Sequence, residues 1–205
     1  MSEKILQFLL LGDSGVGKSS VFNQITLNGE EEEEDISEWD PIIDTNGDWI
    51  TRRIRSNTGE SYQIRIMDTL SYEKYHPFMR QQSIAKMGPL ISQLYENADG
   101  FMLIYDITNI KSFENLEIWL EEVNIYKDNA KIILLGNKSD AKSQRIVSKI
   151  DGEKFAKENL LKFMEISCYE NINIEESLIM MVSEAMESQE TWRDCPYCPC
   201  KCTIQ

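Results

Sequence analysis

The chain reads as an α/β domain, a mainly parallel sheet covered by helices on both faces. Three observations carry that reading. Short apolar runs of strand length alternate with amphipathic stretches of helical length from Ile5 to about Ser188, the signature of repeated strand–helix units. The first run, Ile5–Leu11, leads directly into Gly12-Asp13-Ser14-Gly15-Val16-Gly17-Lys18-Ser19, which matches G-x-x-x-x-G-K-[ST]. Several runs are also almost continuously apolar, as parallel strands buried on both faces are.

Composition sets the outer limits. A chain of 205 residues with 41% hydrophobic content can bury one core, so a single domain over 1–190 and a short cysteine-rich tail over 191–205 are expected. No apolar run reaches the ~18 residues of a membrane-spanning helix. Met1-Ser2-Glu3-Lys4 runs straight into the first strand, leaving no space for a signal peptide; synthesis in the cytosol is the expectation. A net charge of −14 speaks against nucleic-acid binding, which needs basic residues on phosphates, and against adhesion to anionic lipid.

The elements follow in order. Ile5–Leu11 is the first strand and Ser20–Leu27 the first helix. Glu30-Glu31-Glu32-Glu33-Glu34-Asp35 is a run of like charges that cannot pack, hence a solvated loop, or more sharply a site for a basic partner. Asp40–Gly47 is irregular. Trp49–Arg55 and Ser61–Met67 form two strands around a turn at Asn57-Thr58-Gly59, the second alternating Tyr62, Ile64 and Ile66 with polar residues. Leu70–Asn97 is mostly helical, broken at His76-Pro77 and Gly88-Pro89; His76, the only histidine, takes no catalytic role. Phe101–Tyr105 is a buried strand and Ser112–Tyr126 an amphipathic helix. Lys131–Leu135 is a strand, and Ser148 with Asp151 has capping-box spacing before a helix over Gly152–Asn159. Phe163–Ile166 and a helix from Ile174 close the fold.

The chemistry gathers where strands end, the place where open α/β sheets bind ligands. In the phosphate loop, glycines let successive backbone N–H groups of Ser14, Gly15, Val16, Gly17 and Lys18 converge on phosphate oxygens, with Ser20 in the first turn of the helix behind them. Lys18 reaches the β/γ-phosphates and Ser19 offers a hydroxyl to Mg²⁺. Asp68, after the third strand, is a carboxylate placed for Mg²⁺, directly or through water. Asn137-Lys138-Ser139-Asp140 is the specific signal. A carboxylate at Asp140 accepts from guanine N1–H and the 2-amino group, a donor pair adenine lacks. The Lys138 stem lies along the base and Asn137 ties loops together.

With these residues in view, the chain resembles a Ras-superfamily small GTPase, most closely the Rab family. Tyr105-Asp106-Ile107-Thr108-Asn109, Ser112-Phe113-Glu114-Asn115-Leu116, Trp119-Leu120 and Ala156-Lys157-Glu158-Asn159 carry the likeness, which spans Lys4 to about Glu187. The resemblance implies the P-loop small-GTPase fold, a six-stranded mostly parallel sheet with one antiparallel edge strand and about five helices. It implies a monomeric switch that binds GTP or GDP with Mg²⁺ and meets effector, exchange and GTPase-activating proteins in vesicle trafficking. Ser167-Cys168-Tyr169 stands where the family has Ser-Ala-Lys against the base, so the lysine is lost.

The departures fall where the family senses the γ-phosphate. Thr45 is the expected switch I threonine, bound to Mg²⁺ and the γ-phosphate; an alternative alignment of Glu38-Trp39-Asp40-Pro41-Ile42 puts Ile42 there. Switch II, Asp-Thr-Ala-Gly-Gln-Glu in the family, is Asp68-Thr69-Leu70-Ser71-Tyr72-Glu73 here. Ser71 restricts the swing a glycine allows, and Tyr72 cannot orient water as glutamine does, so slow hydrolysis is expected; a second reading is a GTP-loaded module that recruits partners constitutively. The tail, with Cys195, Cys198, Cys200 and Cys202, ends in a prenylation box at Cys202 with Cys200 as a second lipid site. Zinc binding by the four thiolates is the rival. Lipidation implies the cytoplasmic face of intracellular membranes, with a cytosolic pool.

Overall fold

The computed structural model describes residues 4–28, 49–55, 61–68 and 92–186. They form one six-stranded sheet in the order β2-β3-β1-β4-β5-β6. The strands are β1 (Lys4–Leu11), β2 (Trp49–Arg55), β3 (Ser61–Asp68), β4 (Gly100–Asp106), β5 (Ile132–Asn137) and β6 (Lys162–Glu165). Every pairing is parallel except β2 with β3, so the antiparallel strand lies at one edge as expected. Among the described residues the helices include α1 (Lys18–Asn28), α2 (Ile110–Glu114), α3 (Leu116–Tyr126), α4 (Lys149–Glu158) and α5 (Ile174–Met186). Residues 92–97 are also helical.

The alternation of β1 explains the two-layer cover. Leu6, Phe8 and Leu10 join the cluster formed with Val21 and Ile25 of α1 and Leu178 and Met181 of α5. Leu9 and Leu11, one residue out of phase, join Trp119, Leu120 and Val123 of α3 and Ala156 of α4. A strand's side chains alternate faces, so one run serves two cores. All seven residues of β4 and all six of β5 are buried, which is why those runs read as continuously apolar. Arg52 on β2 holds Glu175 on α5 at 2.6 Å, tying the edge strand to a helix behind the sheet. Among the described residues no helix is long and apolar enough to cross a membrane.

Three sequence expectations change. The helix expected over Ser112–Tyr126 begins at Ile110, with the Asn109 side chain accepting from the Lys111 N–H at 3.1 Å, and it breaks at Asn115 into α2 and α3. The helix expected from Gly152 starts at Lys149, because Ser148 is the N-cap and Asp151 its third residue: the Asp151 N–H donates to Ser148 Oγ at 3.1 Å and the Ser148 N–H to Asp151 Oδ2 at 3.3 Å. A capping box opens a helix from within, so its last residue already lies inside the first turn. The strand expected to end at Leu135 runs on to Asn137. The acidic run, Thr45, Ile42, Ser71, Tyr72, His76 and the cysteine tail lie outside the described residues.

Candidate nucleotide-binding site

The phosphate loop leaves β1 at Gly12 and enters α1 at Lys18. Gly12 has φ +136°, and a Cβ there would sit on the carbonyl oxygen of Ile104, so β4 approaches too closely for any side chain. Gly17, at φ +100°, is blocked in the same way by the side-chain amide of Asn137. Lys18 is buried; its ammonium donates to the carbonyls of Gly12 at 2.9 Å and Asp13 at 2.5 Å. Its charge is thereby held inside the loop it serves. Val16 is buried, Ser19 and Gly17 are half-buried, and Ser14, Gly15 and Ser20 are exposed.

Two of the three residues expected at magnesium, Ser19 and Asp68, lie among the described residues. Asp68 ends β3 in register with Leu10, two residues before Gly12, and Ser19 follows Lys18 at the head of α1. A carboxylate and a hydroxyl are hard oxygen donors of the kind Mg²⁺ takes, so these residues fit the ion.

The base side is built from three loops knotted together. Asn137 is buried; its Nδ2 donates to the Val16 carbonyl at 2.8 Å and its Oδ1 accepts from the Lys138 N–H at 2.7 Å. The expectation that Asn137 ties loops is thus met, since Val16 belongs to the phosphate loop. Lys138 adopts φ +67°, a left-handed conformation costly to a residue with a Cβ. Its ammonium pairs with Asp106 Oδ2 at 2.5 Å, while Thr108 supplies its N–H at 2.8 Å and hydroxyl at 2.7 Å to Asp106 Oδ1. Asp140, half-buried, accepts at Oδ1 from the Ser167 hydroxyl at 2.6 Å. That hydroxyl also accepts from the Glu170 N–H at 3.0 Å, so the Ser167 turn and the Asp140 carboxylate orient each other.

The rest of this loop is braced from both sides. Gln24 of α1 donates to the Cys168 carbonyl at 2.8 Å. Arg145 grips Glu165 with both guanidinium arms, at 2.5 and 3.0 Å, and that bond raises the arginine's pKa. The Cys168 thiol lies 3.6 Å from Asn137 Oδ1; burial pushes its pKa up to about 11. Tyr169 is 89% exposed on the rim. A cavity of about 600 Å³ joins Gly15 and Gly17 of the phosphate loop to Lys138, Asp140, Cys168 and Tyr169, so the phosphate and base residues share one opening.

Three contributors were not singled out from the sequence as site residues. Asp106 ends β4, a position the strand-end rule covers, yet it drew notice only as part of the family likeness. Gln24 carries no local signal, being one polar residue on a helix. Asp13 sits inside the phosphate-loop motif at a variable position; its carboxylate turns to Asn115 and Trp119 on α3.

A phosphate loop, a strand-end carboxylate beside it and a second loop carrying Asn137, Lys138 and Asp140 in the same cavity define an α/β domain of the phosphate-loop nucleotide-binding class. The sequence profile of the Ras family matches residues 7–187. Ras-related protein Rab-10 of Diplobatis ommata is 32% identical over 188 residues, covering 89% of this chain and 82% of the relative. Ras-related protein Rab2BV of Beta vulgaris is 33% identical over 181 residues, covering 88% and 75%. The chain belongs to the Ras family, as a Rab-like small GTPase.

Proposed function

We propose that this protein is a Rab-like GTP/GDP switch of intracellular vesicle trafficking with slow intrinsic hydrolysis. The observation that carries the reading is the Asp140 carboxylate, held by Ser167 in a cavity continuous with the phosphate loop. Its free edge matches guanine N1–H and the 2-amino group, and the Lys138 stem, drawn back toward Asp106, lies under the base. Backbone N–H groups of residues 14–19 take the phosphates, with Ser20 close behind. Cys168 and Tyr169 face the base, the tyrosine offering a ring where the family has a lysine stem.

Ser19, Asp68 and Thr45 would hold Mg²⁺, which would supply charge neutralisation at the β- and γ-phosphates. Lys18 stabilises the negative charge that develops on the transferred phosphoryl group. Thr45 in switch I, or Ile42 under the alternative alignment, decides how strongly that segment senses the γ-phosphate. Ser71 and Tyr72 replace the residues that let switch II swing and orient water, so binding is kept while turnover falls. The same two substitutions favour the second reading, a GTP-bound module that recruits effectors constitutively.

Effector, exchange and GTPase-activating proteins are the partners, and the protein acts as a monomer. Lipid on Cys202, supported by Cys200, anchors it to the cytoplasmic face of intracellular membranes. One chain alone binds weakly, and a net charge of −14 gives no electrostatic help. Cys202→Ser is therefore expected to move the protein to the cytosolic fraction of cells; retention on membranes would contradict the anchor. The direct test of the switch is the nucleotide that the purified protein carries, identified by chromatography after denaturation. GDP is the expected result, GTP favours the second reading, and an adenine nucleotide or none contradicts both.

A further inference from the structure

An acidic residue inside a phosphate-binding loop is an electrostatic problem. Asp13 stands between Gly12 and Ser14, and its own carbonyl accepts from the Lys18 ammonium at 2.5 Å. A carboxylate turned into the cradle would repel phosphate at short range and compete for Lys18. The structure resolves the conflict by turning it the other way. Asp13 Oδ2 accepts from Asn115 Nδ2 at 2.6 Å, and Oδ1 accepts from the indole N–H of Trp119 at 2.9 Å. The two donors stand one helical turn apart, Asn115 at the position just before α3 and Trp119 within it, so they present side by side to the two oxygens. Trp119 is 8% exposed and packs in the core with Leu116 and Leu120, which fixes its N–H. Asn115 gives its side chain to Asp13 and makes no side-chain cap bond to α3.

We infer that Asn115 and Trp119 form a latch that holds the Asp13 carboxylate out of the phosphate cradle and so lengthens the residence time of the bound nucleotide. Both donors are neutral: they fix the direction of the negative charge without cancelling it. Losing either leaves a carboxylate oxygen without its partner and lets it rotate toward the loop interior, where it opposes phosphate. Asp13, Asn115 and Trp119 are thus positioning residues, and α3 becomes the element through which the loop's electrostatics are set. The inference rests on guanine-nucleotide binding at this loop.

The test is the dissociation rate of N-methylanthraniloyl-GDP, chased with excess GDP, for the full chain and for Trp119→Phe and Asn115→Ala, each with and without Asp13→Asn. Loss of one hydrogen bond to a charged group predicts release on the order of tenfold faster in each single variant. The acceleration should shrink as salt rises. Because an amide carries no charge, each double variant should release the probe at the rate of Asp13→Asn alone. A helix that only packs the loop would behave differently: acceleration would persist in the double variants and ignore salt, and that result would overturn the latch. Release at the parent rate in Asn115→Ala would overturn it equally, whether or not Trp119→Phe folds. If the parent binds no labelled GDP, the nucleotide reading itself fails and the latch with it. If the parent binds and the variants match it, the latch alone fails.

Discussion

Lys138 shows how much of this site is arranged by contacts no motif states. Its left-handed backbone, at φ +67°, is a conformation that costs on the order of 1 kcal/mol, and it is held by Asn137 Oδ1 on its N–H and Asp106 on its ammonium. The family pattern names the lysine; it does not name the aspartate that aims it. Asp140 was legible because its spacing from Asn137 is itself the signal. Asp13 and Asp106 were not, since a carboxylate's role depends on which donors the fold turns toward it. Cys168 makes the same point chemically. Its thiol pKa, pushed from 9.0 to about 11 by burial, means that the folded protein holds the proton more tightly than the unfolded chain. The stability this contributes is fully present below pH 9 and is lost as pH rises from 9 to 11. Alkylation of Cys168 by iodoacetamide at pH 8 should therefore be at least ~10-fold slower than that of an unstructured cysteine, as mass spectrometry of the modified peptide would show. Labelling as fast as that of a free thiol would contradict the half-buried setting.

Gly152 illustrates where propensity and packing part company. It lies within the first turn of α4, where an alanine is worth up to ~1 kcal/mol in helix propensity over glycine. A Cβ there would fall 2.5 Å from the Tyr105 hydroxyl oxygen and 2.7 Å from Phe163 Cζ. Both belong to bulky rings packed between α4 and the sheet, and Tyr105 is fully buried. Overpacking costs typically 1–3 kcal/mol, so Gly152→Ala should destabilise by about 1 kcal/mol net, read as a lower denaturant midpoint at constant slope. A rise in the midpoint would mean that the rings yield. The sequence showed that a helix stands here, because capping chemistry is local. It did not show that the helix needs a glycine to lie against β4. The break at Asn115 was illegible for the same reason: amphipathic spacing runs through it, and the partner its side chain meets, Asp13, lies 102 residues away in sequence.

Across the whole domain, the sheet does most of the functional work by bringing loops separated by more than a hundred residues to one rim. Asn137 meets Val16, Gln24 meets Cys168 and Trp119 meets Asp13. The mainly parallel sheet was legible because strands alternate with helices, and the antiparallel edge strand came with the family resemblance. The cross-braces were not, because they depend on which side chains end up opposite one another. The proposed slow hydrolysis is a property of the assembled site. Phosphoryl transfer is positioning plus charge stabilisation, so a poor water-orienting residue lowers rate without lowering affinity. Single-turnover phosphate release should run at or below the roughly 10⁻⁴ s⁻¹ of unaided Ras, and Ser71→Gly/Tyr72→Gln should raise it. Equal rates in parent and variant would mean that another residue places the water.

The base that Asp140 selects distinguishes a guanine site from any other nucleotide site. The decisive measurement is competition of GTP, ATP and xanthosine triphosphate against N-methylanthraniloyl-GDP, for the parent and for Asp140→Asn. In the parent, a carboxylate edge left unpaired under the base by adenine should favour GTP over ATP by a factor on the order of 10⁴. In Asp140→Asn, GTP should weaken and xanthosine triphosphate gain, because its 2-oxo group accepts from the new amide while the Ser167 hydroxyl can still donate to the amide oxygen. A parent that binds ATP as tightly as GTP, or a variant whose preference does not move, would contradict the assignment of this cavity as a guanine site.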